Sequence, residues 1–175
     1  FIGDSVMIFF GDPDTKGAKE DAIACCQMAM EMLAFLENNQ QHFQDMYNFP
    51  EKLEIRVGIH NGLCNVGNFG SEQRLDYTAI GRAVNVAARL EQAAPKNSVL
   101  VSSAIRNLIK NKFETSSPIE VKAKGIDKPI ASYVLNRQES QNTKVIKELD
   151  GLKLEYDPKK IDKNKLLEII SELEN

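Results

Sequence analysis

The sequence predicts an α+β fold, and three observations carry that prediction. From Ala18 to about Phe43, apolar residues recur at three- and four-residue spacing, the pattern of an amphipathic helix. Ile55, Val57 and Ile59 alternate with Arg56 and Gly58, the period of a strand with one apolar face. Strand and helix patterns then interleave along the chain with antiparallel hairpin signals among them.

Taken in order, Phe1-Ile2 and Ser5–Phe10 are apolar and β-favouring, and Gly3-Asp4 between them is a two-residue hairpin signal. Gly11-Asp12-Pro13-Asp14 closes that unit as a loop. The helix that follows carries Ala22, Cys26, Ala29, Leu33 and Leu36 on its stripe, widened by Ile23 and Met30. It fades through the polar tract Glu37–Gln44 before Phe49-Pro50. Asn61-Gly62 predicts a hairpin from the Ile55–Ile59 strand into a second strand running from Leu63 towards Phe69 and ending at Gly70-Ser71. A short helix is expected over Ala83–Gln92, then a strand at Val99–Val101 and a helix capped by Ser102-Ser103 through about Ile109. Ile119–Lys122 and Ser132–Leu135 read as the last strands, with a turn from Gly125 to Pro129. Composition shifts after Asn136. The expected division is therefore a domain over 1–136, and over 137–175 a linker followed by an amphipathic C-terminal helix. That helix starts near Asp162 and carries Leu166, Ile169, Ile170 and Leu173.

Composition bounds the function. In 175 residues, 42% hydrophobic and 27% charged content fits a folded chain. A net charge of −3 gives no bulk positive field, so nucleic acid is not an expected partner. The longest apolar runs, Val6–Phe10 and Ala22–Cys26, fall far short of the roughly 20 residues that cross a bilayer. Three cysteines, Cys25, Cys26 and Cys64, have no metal-ligand spacing and suit a reducing compartment. Residue 1 is Phe and the first residues already read as structure, so the chain is expected to be a piece of a longer one.

Several residues suggest chemistry. Asp4, at a hairpin tip between hydrophobic strands, suits a hard cation, although Asp is also an ordinary turn residue. Asn85 and Arg89, four apart, share a helix face that Arg82 roughly joins, and an amide with guanidiniums suits a ribose and a polyphosphate. A solvated helix face is the plainer account. Lys122 and Lys124 flank Ala123 before a turn, where they reach phosphate oxygens or are ordinary exposed lysines. His42 and His60 have no partner spacing, and the Cys25-Cys26 pair is expected to pack on the long helix.

Order and spacing make these signals specific. Phe-Ile-Gly-Asp-Ser-Val-Met at 1–7, Ile-Arg-Val-Gly-Ile-His-Asn-Gly at 55–62, Gly-Asn-Phe-Gly-Ser at 67–71 and the block Arg74–Glu91 resemble the catalytic domain of class III nucleotidyl cyclases. The bacterial adenylate cyclases are the branch they most resemble. The resemblance runs from Phe1 to about Leu135. It implies a ferredoxin-like α+β core, here lacking its first strand-helix segment, that works as a homodimer with the site shared between subunits. It further implies two divalent metal ions, Mg2+ or Mn2+, held by two aspartates. Asp4 matches the second of these, and the first lies in a segment upstream of this chain, as does an adenine-selecting lysine. Thr78 falls at the other base-selecting position and leans towards ATP. Asn85 and Arg89 match the pair that orients the ribose and stabilises the transition state. Lys124, or else Lys122, matches the lysine on the terminal phosphates. Departures are Ala123 where glycine is common and Arg82 where an acid or amide is frequent.

The implied function is an adenylate cyclase that converts ATP to 3′,5′-cyclic AMP and pyrophosphate. The alternatives are a silent cyclase-like nucleotide-binding or dimerisation module, and a guanylate cyclase. An upstream sensor and a cytoplasmic location are expected, with any membrane anchor also upstream.

Overall fold

The computed structural model describes residues 5–71, 74–121, 129–136, 145–149, 152–156 and 164–165. Its first helix, α1 (Ala18–Asn38), buries Ala22, Cys26, Ala29 and Leu33, the stripe that the periodicity marks. The helix does not run through to Phe43. It breaks at Asn39, whose side-chain amide donates to the carbonyl of Phe35 at 2.7 Å and competes with the backbone ladder. A second helix, α2 (Gln40–Tyr47), follows and ends at Asn48 in the left-handed conformation, φ 53°.

A four-stranded sheet has the order β1-β4-β6-β5, with β1 (Arg56–Ile59), β4 (Ser98–Ser102), β5 (Ile119–Val121) and β6 (Ile130–Val134). β4 pairs parallel with β1 and antiparallel with β6, and β5 pairs antiparallel with β6. Asn97 sets the first of these registers. Its backbone N–H donates to the carbonyl of Ile55 at 2.7 Å, while its side-chain Oδ1 accepts from the N–H of Ile55 at 3.2 Å. The expected Asn61-Gly62 hairpin is thereby overturned, because β1 takes a distant parallel partner. The hairpin lies instead between β2 (Asn65–Ser71) and β3 (Arg74–Ile80), from Asn65↔Ile80 to Ser71↔Arg74.

β4 is central and buried on both faces. Val99 and Val101 pack with α1, with Ile105 and Ile109 of α4 (Ser103–Ile109), and with Phe113 beyond that helix. Leu100 points the other way, onto Val86, Leu90 and Ala94 of the α3 region, where α3 spans Arg82–Ala93. Ser102 caps α4 as expected, its Oγ accepting from the N–H of Ile105 at 3.5 Å.

Of the expected opening hairpin, residues 1–4 lie outside the described residues. Residues 6–10 join no ladder, and Val6, Ile8 and Phe10 are exposed. The turn from Gly125 lies outside the described residues up to 128.

The chain divides into two compact units, Phe1–Arg137 and Gln138–Asn175. In the second, β7 (Val145–Leu149) and β8 (Leu152–Tyr156) form an antiparallel hairpin that the sequence reading did not anticipate. The linker at 138–143 lies outside the described residues, as does the terminal helix apart from the helical Asn164 and Lys165.

Candidate active site

Two elements carry the described site residues, and one residue separates them. Thr78 lies on β3, half-buried and opposite Gly67 of β2. Gly81 ends that strand at φ 155°, where a Cβ would meet the Cα of Cys64 at 3.2 Å, and α3 begins at Arg82. Along α3 the burial is one-sided. Val86 and Leu90 are buried, whereas Arg82, Asn85 and Arg89 are exposed. Asn85 and Arg89 therefore share a solvent-facing side, as their spacing predicts. Nη1 of Arg89 donates to Oε1 of Gln92 at 2.7 Å, one turn further along.

What fixes α3 in place is a feature that the sequence reading passed over. Gly58 on β1 faces the helix so closely that a Cβ there would lie 2.2 Å from N of Glu91, 2.3 Å from O of Ala87 and 2.8 Å from C of Leu90. The close packing of helix backbone on strand backbone requires glycine at this point. Arg56, two residues earlier on the same face, adds polar contacts. Its Nε lies 3.3 Å from Oε1 of Glu91, and its Nη1 donates to the carbonyl of Gln92 at 3.4 Å. The signal was present as a lone glycine inside a strand pattern, which marks a close backbone approach.

A second contact reaches the β3 side. The hydroxyl of Tyr77, next to Thr78, donates to Oδ2 of Asp12, which raises the pKa of the phenol. The rings of Phe9 and Tyr77 lie 6.2 Å apart. The loop after the Asp4 segment is thus tied to the strand that carries Thr78. Asp4, Lys122 and Lys124 themselves lie outside the described residues. Among the described residues no group of three or more His, Cys, Asp or Glu could hold a metal ion.

His60 has a partner that the spacing did not reveal. Nδ1 of His60 lies 2.9 Å from Oγ of the buried Ser102, and burial lowers the histidine pKa. The thiols of Cys25 and Cys26 on α1 are pushed up to about 11 and about 12, first by burial. His42 packs against the ring of Phe43. No helix among the described residues is long and apolar enough to cross a membrane.

Comparison with known proteins agrees with this architecture. Residues 1–137 match the family model for the adenylate and guanylate cyclase catalytic domain. An adenylate cyclase of Anabaena cylindrica is 33% identical over 138 residues, covering 76% of this chain and 26% of that protein. The chain thus spans about a quarter of that relative's length. The crystal structure of the adenylyl cyclase CyaB from P. aeruginosa superposes with a TM-score of 0.74 at 40% identity, over 80% of this chain and 71% of that one. The guanylyl cyclase Cya2 gives a TM-score of 0.71 at 26% identity, over 81% and 71%. With a mixed sheet, helices on both its faces and a family match across the whole first unit, the chain belongs to the adenylate and guanylate cyclase catalytic-domain family.

Proposed function

We propose that this chain is the catalytic domain of an adenylate cyclase, converting ATP to 3′,5′-cyclic AMP and pyrophosphate. The observation that carries the reading is the shared exposed face of Asn85 and Arg89 on α3, one residue beyond the strand that holds Thr78. In the reaction the ribose O3′ forms a bond to the α-phosphorus as the bond to the pyrophosphate oxygen breaks, and the 3′ hydroxyl gives up its proton. Asn85, an amide with both donor and acceptor, orients the ribose so that O3′ lies in line. Arg89 places a permanent positive charge where the α-phosphate oxygens gain negative charge, and such groups typically contribute 10²–10³ in rate. Thr78 reads the base edge with its hydroxyl, and Lys124, or else Lys122, meets the terminal phosphates.

Two divalent cations, Mg2+ or Mn2+, are part of the proposal. When bound they acidify the 3′ hydroxyl and neutralise the triphosphate. Asp4 would supply one of the carboxylates that hold them. The α3 face is open to solvent, and β3 and the approach to β2 expose Leu75, Tyr77, Ile80 and Leu63. Both features support a site completed by a second copy of the chain.

A guanylate cyclase is the second reading, favoured by the likeness to Cya2. The experiment that tests both measures cyclic AMP and cyclic GMP made from ATP and GTP with Mn2+ by the full-length gene product. Cyclic AMP is expected, and Arg89→Ala should lower kcat by about 10²–10³, far more than it raises KM. Cyclic GMP alone reverses the base assignment. No product from a folded dimer leaves a silent nucleotide-binding or dimerisation module.

A further inference from the structure

The contact between Arg89 and Gln92 points against the work proposed for Arg89. Asn85 lies one turn towards the start of α3, and the two residues must meet the same nucleotide. Long side chains on a helix ordinarily lean towards its N-terminus, which would bring the guanidinium towards Asn85. Here it is drawn the other way, onto Oε1 of Gln92 at 2.7 Å. The backbone at Gln92 is tied to β1, its carbonyl accepting from Arg56 while Glu91 pairs with the same arginine. The acceptor is a neutral amide, so Arg89 keeps its full charge while it is held.

We propose that Gln92 is a positioning residue that holds Arg89 in a resting orientation until the phosphates of a bound nucleotide take the guanidinium from it. A phosphate oxygen outcompetes an amide oxygen because the bond to an anion is charge-assisted and roughly twice as strong. Breaking the resting bond is then part of every binding event and subtracts from apparent affinity. The inference rests on the cyclase reading and adds to it a restraint on the site's own arginine.

The test is Gln92→Leu, with Gln92→Asn as a polar variant too short to reach. Gln92 is exposed, so both variants should fold with an unchanged urea midpoint. Each should raise kcat/KM for the nucleotide by about two- to fivefold, mainly through KM, the scale expected for one exposed hydrogen bond. In an Arg89→Ala background Gln92→Leu should have no further effect. A fall in kcat/KM, no change, or an effect that persists without Arg89 overturns the proposal. If the unmodified protein makes no cyclic nucleotide, the cyclase reading fails separately, and the restraint is then read by NMR of the arginine side chains. Rotation of the Arg89 guanidinium should be slowed in the parent chain and freed in Gln92→Leu, and equally fast rotation in both overturns the contact.

Discussion

Replacing Gly58 by alanine is the perturbation that most directly tests how the candidate site is built. The added Cβ would sit 2.2, 2.3 and 2.8 Å from three backbone atoms of α3, all well inside van der Waals contact at about 3.5 Å. No side-chain rotation relieves contacts with backbone, so the helix itself must move by about 1 Å. Overpacking of this kind costs about 1–3 kcal/mol, and contact with backbone on every side places Gly58→Ala at about 3. For a chain of this size that lowers Tm by about 6–12 °C. The same displacement carries Asn85 and Arg89 with it, and a misplacement of about 1 Å typically costs about 10²-fold in rate. Urea unfolding followed by circular dichroism gives the first quantity, and cyclase turnover well below the variant's Tm gives the second. A variant with the parent's urea midpoint refutes the close approach. One that is destabilised but turns over normally refutes the claim that β1 sets the position of α3.

Two further predictions concern groups away from α3. Burial holds the pKa of His60 below its ordinary value of about 6.5, so the folded state binds fewer protons there than the unfolded state. The stability this site contributes is complete above about pH 6.5 and is lost as pH falls through the lower folded value. In His60→Gln the decline of unfolding free energy just below pH 6.5 should therefore be shallower than in the parent, and an identical decline refutes the assignment. With the Cys25 and Cys26 thiols pushed up to about 11 and about 12, one of the three cysteines, the exposed Cys64, should react quickly with a thiol reagent at pH 8. The other two should react only on unfolding, and rapid labelling of two or three thiols in the folded chain refutes their burial.

What could be read from the sequence was what depends on local period. The stripe from Ala22 to Leu33 and the one-sided face of Asn85 and Arg89 both follow from 3.6 residues per turn. The serine cap on α4 is likewise a short-range device. Strand pairing was read less well because it is not local. Asn61-Gly62 is a strong turn signal, but it acts over a few residues. β1 pairs instead with β4, whose Val99, Leu100 and Val101 are completely buried between helices, and this long-range packing outweighs the turn signal. β3 does carry a local signal, since Leu75, Tyr77 and Ala79 alternate with Asp76 and Thr78. Asp150-Gly151 is a two-residue turn signal for the last hairpin, but of its two flanks only Leu152–Tyr156 alternates. Gln92 and Arg56 had no sequence signal, because their roles arise only once α3 lies on β1.

Packing and the proposed chemistry are divided between opposite sides of α3, and that division decides how variants should be interpreted. Val86 and Leu90 face Leu100 and Val121, and each buried side chain of this type contributes about 1.5–3 kcal/mol. Asn85 and Arg89 are exposed and take no part in that cluster. Surface substitutions outside a packed network usually change stability by no more than about 0.5 kcal/mol. Arg89→Ala should accordingly leave the urea midpoint almost unchanged, so any large loss of kcat reports on charge at the reacting phosphate and not on a damaged helix. Gly58→Ala lies at the other extreme, where stability and rate must fall together because one contact serves both. Gln92→Leu lies between them, leaving the fold intact and shifting only the orientation of Arg89. If Arg89→Ala instead lowered stability by several kcal/mol, the division would be wrong and the kinetic loss could no longer be assigned to the reaction.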